Sequence, residues 1–259
     1  MINMAKADLY RLVRIKSIYL CISAISVMYL INLITNQPII ITAGYQTETL
    51  SDSSVSIDIA MLSCNFNYYF LMLFPVSALI ISDFSGGMIS NTLSSFTSRN
   101  KYFAFKFMFT QCLSLVLFWA GNSIYYLLHL ICYGSGSSAP ANEFFRLLLI
   151  QTPIFIAMIS LFVFLAFLIK RATVFNTIMI SVPILYSGLI RLLMLVRSTK
   201  SFAAEHLVTY DLTTVFERVT RLSSDTKYLF EAETAAFLFS AVMFLVGIRY
   251  FNKCEAIRE

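Results

Sequence analysis

Charge is scarce in this sequence and unevenly spread. Only 13% of the 259 residues are charged, whereas soluble domains average about 25%, and 58% are hydrophobic. Long charge-free stretches alternate with short charged segments, and a bilayer-spanning helix needs about 20 mostly apolar residues. This pattern excludes a single soluble core. It predicts an all-α integral membrane protein, because backbone in lipid must satisfy its own hydrogen bonds.

Patterns typical of catalysis and of metal binding are also missing. The five cysteines show no C-x-x-C or metal spacing, and the two histidines form no H-E-x-x-H. There is no G-x-x-x-x-G-K-[ST] phosphate loop. We therefore predict no catalytic residue, no metal site and no cofactor in this chain. A disulfide between Cys64 and Cys132, near predicted outer helix ends, stays open beside the alternative of small buried thiols.

Six apolar stretches predict six transmembrane helices. They cover residues 17–33, 60–82, 107–133, 145–169, 173–195 and 232–251. A long outer loop, 196–231, joins the last two. We expect the first stretch to remain as an uncleaved anchor, since no small-residue cleavage site of the usual kind follows it.

The arm before the first span, residues 2–16, has the pattern of an amphipathic helix on the membrane surface. Its basic residues lie around one side of the helical wheel. The apolar face is formed by Ile2, Ala5, Leu9, Leu12 and Val13.

The distribution of lysine and arginine predicts the orientation. Twelve of them fall on one side of the predicted spans, in the order Lys6, Arg11, Arg14, Lys16, Arg99, Lys101, Lys106, Lys170, Arg171, Arg249, Lys253 and Arg258. The positive-inside rule then places both termini in the cytoplasm. The net charge of +5 reflects this bias, and we do not interpret it as nucleic-acid binding.

The loop between the second and third spans, residues 83–106, is longer than a minimal helix connection. Gly86 and Gly87 allow a sharp turn at its start. A short helical pattern follows, with Ile89, Leu93 and Phe96 on one face. This pattern predicts a docking element on the cytoplasmic side, and the alternative is a structured but passive loop.

The same loop carries a resemblance to a known family. An acid, glycine, Asn-Thr-Leu, Ser-Arg, Tyr and Lys follow in that order, as Asp83, Gly86, Gly87, Asn91, Thr92, Leu93, Ser98, Arg99, Tyr102 and Lys106. The run from Asp8 to Leu12 also looks like the family's usual start. The chain therefore resembles the permease subunits of type-2 ATP-binding-cassette (ABC) exporters, of the small six-span kind found in Gram-positive bacteria.

The resemblance implies a location and partners. It implies a multi-pass protein of the bacterial plasma membrane that works with a second permease chain, identical or paralogous. A separate ABC ATPase subunit would bind ATP and Mg²⁺ and dock on a coupling helix in the loop. The implied docking residues are Asp83, Gly86, Gly87, Ile89, Asn91, Leu93, Phe96 and Arg99.

Polar residues inside the predicted spans are the candidates for a translocation path, because such side chains should face protein or water. They are Asn65, Asn67, Gln111, Asn122, Gln151 and Asn176. The alternative for each is a hydrogen bond between helices.

Three functions remain open on sequence grounds. The first is the permease half of an ATP-driven exporter, with an amphipathic or antimicrobial peptide as cargo, for export or for self-immunity. The second is a non-transporting membrane scaffold or sensor partner. The third is an intramembrane enzyme, which the missing catalytic patterns disfavour.

Overall fold

The computed structural model describes residues 2–14, 73–87, 98–133, 141–179 and 226–253, with isolated positions between 16 and 34 and at 89 and 181. All regular structure in these ranges is helical, and they contain no strand. The all-α prediction is therefore confirmed for the part of the chain that the structure describes.

Six helices lie within these ranges. They are α1 (Ile2–Arg14), α2 (Leu73–Ser85), α3 (Arg99–Tyr133), α4 (Ala141–Ile169), α5 (172–179) and α6 (Thr226–Lys253). One turn of α2, Ser77–Ile81, has π-helical geometry.

Three of the helices are long and apolar enough to span a membrane, over Arg99–Cys132, Phe144–Ile169 and Leu229–Lys253. They lie where the sequence predicts the third, fourth and sixth spans. The third helix begins before the predicted residue 107, because Lys106 is buried and paired inside it rather than marking its end at the membrane surface. The predicted spans 17–33, 60–82 and 173–195 lie wholly or partly outside the continuous described ranges.

Helix α1 is amphipathic, but its buried side differs from the predicted apolar face. Asp8 and Leu12 are 7% and 2% exposed, whereas Leu9 and Val13 are 48% and 61% exposed. The difference arises because Lys106 on α3 pairs with Asp8 and accepts it into the interior. Leu9 and Val13 face outward.

Helix α2 ends in the sharp turn that the sequence predicts. The Gly86 N–H donates to the carbonyl of Ser82 at 2.9 Å. Gly87 follows with φ +65°, a left-handed conformation that glycine adopts without a steric penalty. Helix α3 begins at Arg99, after residues 90–97, which lie outside the described part of the chain.

Helix α4 is the centre of the packing and lies against α3, α6 and the π turn of α2. Aromatic rings join these helices near one end. The Phe103 ring centroid lies 4.7 Å from that of Phe167 and 6.1 Å from that of Phe251. Gly247 lets α6 approach this ring, since a Cβ there would lie 2.5 Å from Phe103 Cζ.

Candidate functional site

Charged residues from three helices meet at one end of the bundle. Helix α1 supplies Asp8 and Arg11, which share a face because they are three residues apart. Helix α2 supplies Asp83 from its last turn. Helix α3 supplies Tyr102 and Lys106, which share a face at a spacing of four residues. We call these five residues the ion cluster.

Lys106 is the centre of the ion cluster. Its Nζ lies 2.7 Å from Asp8 Oδ2 and 2.7 Å from Asp83 Oδ2, and it donates to the carbonyl of Leu79 at 3.1 Å. Three acceptors therefore match the three protons of the ammonium group. The residue is only 2% exposed, so these acceptors replace its hydration.

Asp83 receives donors from two further directions. The Tyr102 hydroxyl donates to its Oδ2 at 2.8 Å, and Arg11 Nη1 donates to its Oδ1. Arg11 Nη2 also lies 3.5 Å from Asp8 Oδ1. Two acids and two bases thus balance formally, as a buried ionic network requires.

The π turn of α2 supplies backbone acceptors to the ion cluster. Its hydrogen bonds run to the fifth residue, as between the Ser82 N–H and the carbonyl of Ser77. Arg11 Nη2 donates to the carbonyls of Ala78 and Leu79, at 3.4 and 3.3 Å. Helix α1 therefore binds to the backbone of α2 as well as to its Asp83 side chain.

Burial changes the acid–base behaviour of Asp8. Its pKa is raised above the ordinary value of 3.8, chiefly because the carboxyl is removed from water, while the neighbouring Lys106 acts in the opposite direction. An aromatic wall limits water at this end of the bundle. The Tyr102 ring stacks on Phe251 with centroids 6.1 Å apart, and Phe84 meets Phe167 edge-on at 5.6 Å.

The residues predicted to dock an ATPase fall in different environments. Asp83 and Ile89 are buried within this chain. Gly86 and Gly87 form the exposed turn after α2. Arg99 begins α3 and donates to the carbonyl of Asn252 at 3.4 Å, near the end of α6. Asn91, Leu93 and Phe96 lie outside the described residues.

The candidates for a translocation path form separate hydrogen bonds. Gln111 Nε2 donates to Ser160 Oγ at 2.7 Å, and Ser160 lies 2.7 Å from Ser240 Oγ, which links α3, α4 and α6. Asn176 accepts a bond of 3.2 Å from Ser77. These contacts match the alternative of hydrogen bonds between helices.

The remaining candidates include two buried residues. Asn122 donates to the carbonyl of Phe118 in its own helix at 2.7 Å, and Gln151 is fully buried on α4. Asn65 and Asn67 lie outside the described residues.

Two further chemical expectations concern cysteine and metal ligands. Cys132 is an exposed free thiol, and Cys64, its possible disulfide partner, lies outside the described residues. Among the residues that the structure describes, no group of three or more His, Cys, Asp or Glu side chains is placed to hold a metal ion.

Sequence reasoning included Asp8, Arg11, Tyr102 and Lys106 in family-like patterns but did not assign them to a site. A signal was present, since Asp8 is the only acid in an otherwise basic arm and lies one turn from Arg11. A single acid among basic residues indicates a cationic partner, which can lie elsewhere in the fold.

No protein family matches this sequence, and no curated protein matches it closely enough to be identified as a relative. The ion cluster and the apolar helices are therefore the observations from which a function is proposed.

Proposed function

We propose that this chain is the permease subunit of an ATP-driven ABC exporter in a bacterial plasma membrane. It has six transmembrane helices, both termini in the cytoplasm and α1 at the membrane surface. It forms the translocation path with a second permease chain. A separate ATPase subunit, which binds ATP and Mg²⁺, drives it through the loop 83–106. The cargo is an amphipathic peptide, exported for release or for self-immunity.

One observation carries this proposal: α2 and α3 are joined directly by Asp83 and Lys106, the first and last residues of the predicted loop 83–106, which lie within these two helices. Lys106 Nζ lies 2.7 Å from the Asp83 carboxylate, and Tyr102 donates to the same carboxylate at 2.8 Å. The loop between α2 and α3 is therefore flanked by two helices that are held together by buried contacts. Such a loop is suited to transmit movement from a docked partner.

The ion cluster extends this connection to α1. Arg11 pairs with Asp83 and Asp8 pairs with Lys106, so α1 is attached to both of the helices that flank the loop. A displacement of the loop would therefore reach α1, α2 and α3 together. The three long apolar helices supply the membrane anchorage that a permease needs.

The test is to replace Leu93 and Phe96 together by alanine in the full chain, expressed in its native host. These side chains are the proposed apolar anchors on the ATPase, and truncating an interface anchor costs about 2 kcal/mol or more. We expect the variant to insert normally, to lose most of the ATPase that is purified with the wild-type chain, and to stop export.

The matched control replaces Val116 and Leu127 by alanine. These side chains are apolar, exposed on α3 and far from the loop in sequence. Retained ATPase and normal export in the Leu93→Ala/Phe96→Ala variant would refute docking through this loop. A purified wild-type chain with no ATPase at all would favour the scaffold or sensor function.

A further inference from the structure

Helix α1 has a second side that the ion cluster does not use. Lys6, Leu9, Tyr10, Val13 and Arg14 are exposed there. Leu9 and Val13 are apolar, and they lie one turn apart between the two basic residues. This combination of exposed apolar and basic side chains on one helix is typical of helices that lie in a membrane interface.

The charge on this outward side is entirely positive. Asp8 is the only acid in α1, and it is buried against Lys106. Lys6 and Arg14 therefore have no acidic neighbour on their own helix, and neither pairs with an acid among the described residues. They are separated by about 12 Å along the helix axis, at 1.5 Å per residue.

Local contacts hold the C-terminal end of α1 in place. The Arg14 guanidinium lies 4.3 Å from the centroid of the Tyr10 ring. The Tyr19 hydroxyl donates to the carbonyl of Val13 at 2.8 Å. Lys16, two residues beyond Arg14, is a third exposed cation.

The outward side of α1 combines basic with apolar side chains, and the helix lies next to the predicted first span. These two facts indicate what binds there. A free anion would interact with Lys6 and Arg14 but would leave Leu9 and Val13 in water. The predicted first span begins at residue 17, so the arm is held close to the bilayer. Basic residues beside a membrane attract lipids whose headgroups carry net negative charge.

We infer that the outward side of α1 is a binding surface for anionic phospholipid, with Lys6 and Arg14 on the headgroups and Leu9 and Val13 in the acyl boundary. The inference rests on the proposed placement of α1 at the membrane surface. It adds a preference for lipid charge, in a helix whose other side is joined to the loop 83–106 through Asp8 and Arg11.

The experiment places a single indole on this surface. Val13→Trp is made in a Trp119→Phe background, because Trp119 is the only tryptophan in the chain. The full chain is reconstituted in phosphatidylcholine vesicles that contain a small fraction of phosphatidylglycerol. Two samples are compared: one has brominated acyl chains on phosphatidylcholine, and the other has them on phosphatidylglycerol. Bromine quenches indole fluorescence on contact.

We expect both brominated lipids to quench the indole, and phosphatidylglycerol to quench it far more than its share of the bilayer predicts. Each cation contributes about fivefold to the local enrichment of anionic lipid, equivalent to about 1 kcal/mol. Lys6→Gln, Arg14→Gln and Lys16→Gln together should remove the preference while quenching by phosphatidylcholine remains. Lys6→Arg together with Arg14→Lys should retain it.

Quenching in proportion to bulk lipid composition would overturn the inference and leave α1 at the membrane surface. An indole protected from both lipids would overturn the surface placement as well, and would indicate that protein covers this side of α1.

Discussion

The burial of Lys106 depends on three acceptors from two helices: Asp8 in α1, and in α2 both Asp83 and the Leu79 carbonyl of the π turn. An ammonium group loses several kcal/mol of hydration on burial, and acceptors for all its protons are needed to offset that loss. A buried lysine is tolerated at position 106 because α1 and α2 both place acceptors beside its ammonium group. Conversely, the lysine holds these two segments on α3.

We expect Lys106→Met to destabilise the chain by about 3–5 kcal/mol, because it leaves two buried carboxylates with fewer cationic partners. Adding Asp8→Asn should recover part of the loss, since one of those carboxylates is then neutral. Thermal denaturation of the purified chain in detergent would measure both effects. Additive losses in the double variant would show that Asp8 and Lys106 do not interact.

The raised pKa of Asp8 predicts how stability depends on pH. Above its ordinary value of 3.8 the unfolded chain has released this proton, whereas the folded chain still holds it. The free energy of unfolding should therefore fall as pH rises from 3.8 through the folded-state pKa, and then level off. Asp8→Asn lacks this contribution and serves as the reference. If wild type gained stability over that variant as pH rose through this window, attraction to Lys106 would dominate over burial.

Most contacts of the ion cluster could not be predicted from the sequence. Asp8 and Lys106 are 98 residues apart, and no local pattern reports which acid meets which base. The order of Asp83, Tyr102 and Lys106 was recognised as a family-like pattern. Their convergence depends on how α2 and α3 pack, which hydrophobic periodicity does not specify.

At the level of elements, long apolar stretches were the most informative part of the sequence. They placed α3, α4 and α6 well, because about 20 apolar residues in succession have few alternatives to a transmembrane helix. The beginning of α3 was harder to place, since charge usually marks the end of a span. The face of α1 was also predicted only in part, because a partner on α3 turns the acid inward.

The approach of α6 to α3 depends on Gly247. We expect Gly247→Ala to destabilise the chain by about 1–3 kcal/mol, because the new methyl group would overlap the Phe103 ring and force it to shift. Phe103→Leu, added to Gly247→Ala, should recover stability by shortening the side chain. Thermal denaturation in detergent compares the variants. An unchanged denaturation midpoint in Gly247→Ala would mean that the two helices are further apart.

For the whole molecule, the proposed topology places the loop 83–106 in the cytoplasm and the predicted 36–58 connection outside. In a chain whose five cysteines are replaced, a membrane-impermeant thiol reagent should label Thr49→Cys on intact cells. Asn100→Cys, in the first turn of α3, should react only after the membrane is opened. The reverse pattern would invert the topology and separate the loop from any cytoplasmic ATPase.

The most direct measurement asks which protein touches the loop. A photo-crosslinking amino acid replaces Leu93 in the full chain, and the same substitution at the exposed Val116 is the control. After illumination of native membranes, we predict that an ABC ATPase is attached at position 93 and not at position 116. If no ATPase is crosslinked to position 93 in membranes where the chain is correctly inserted, the assignment of this chain as an exporter permease is contradicted.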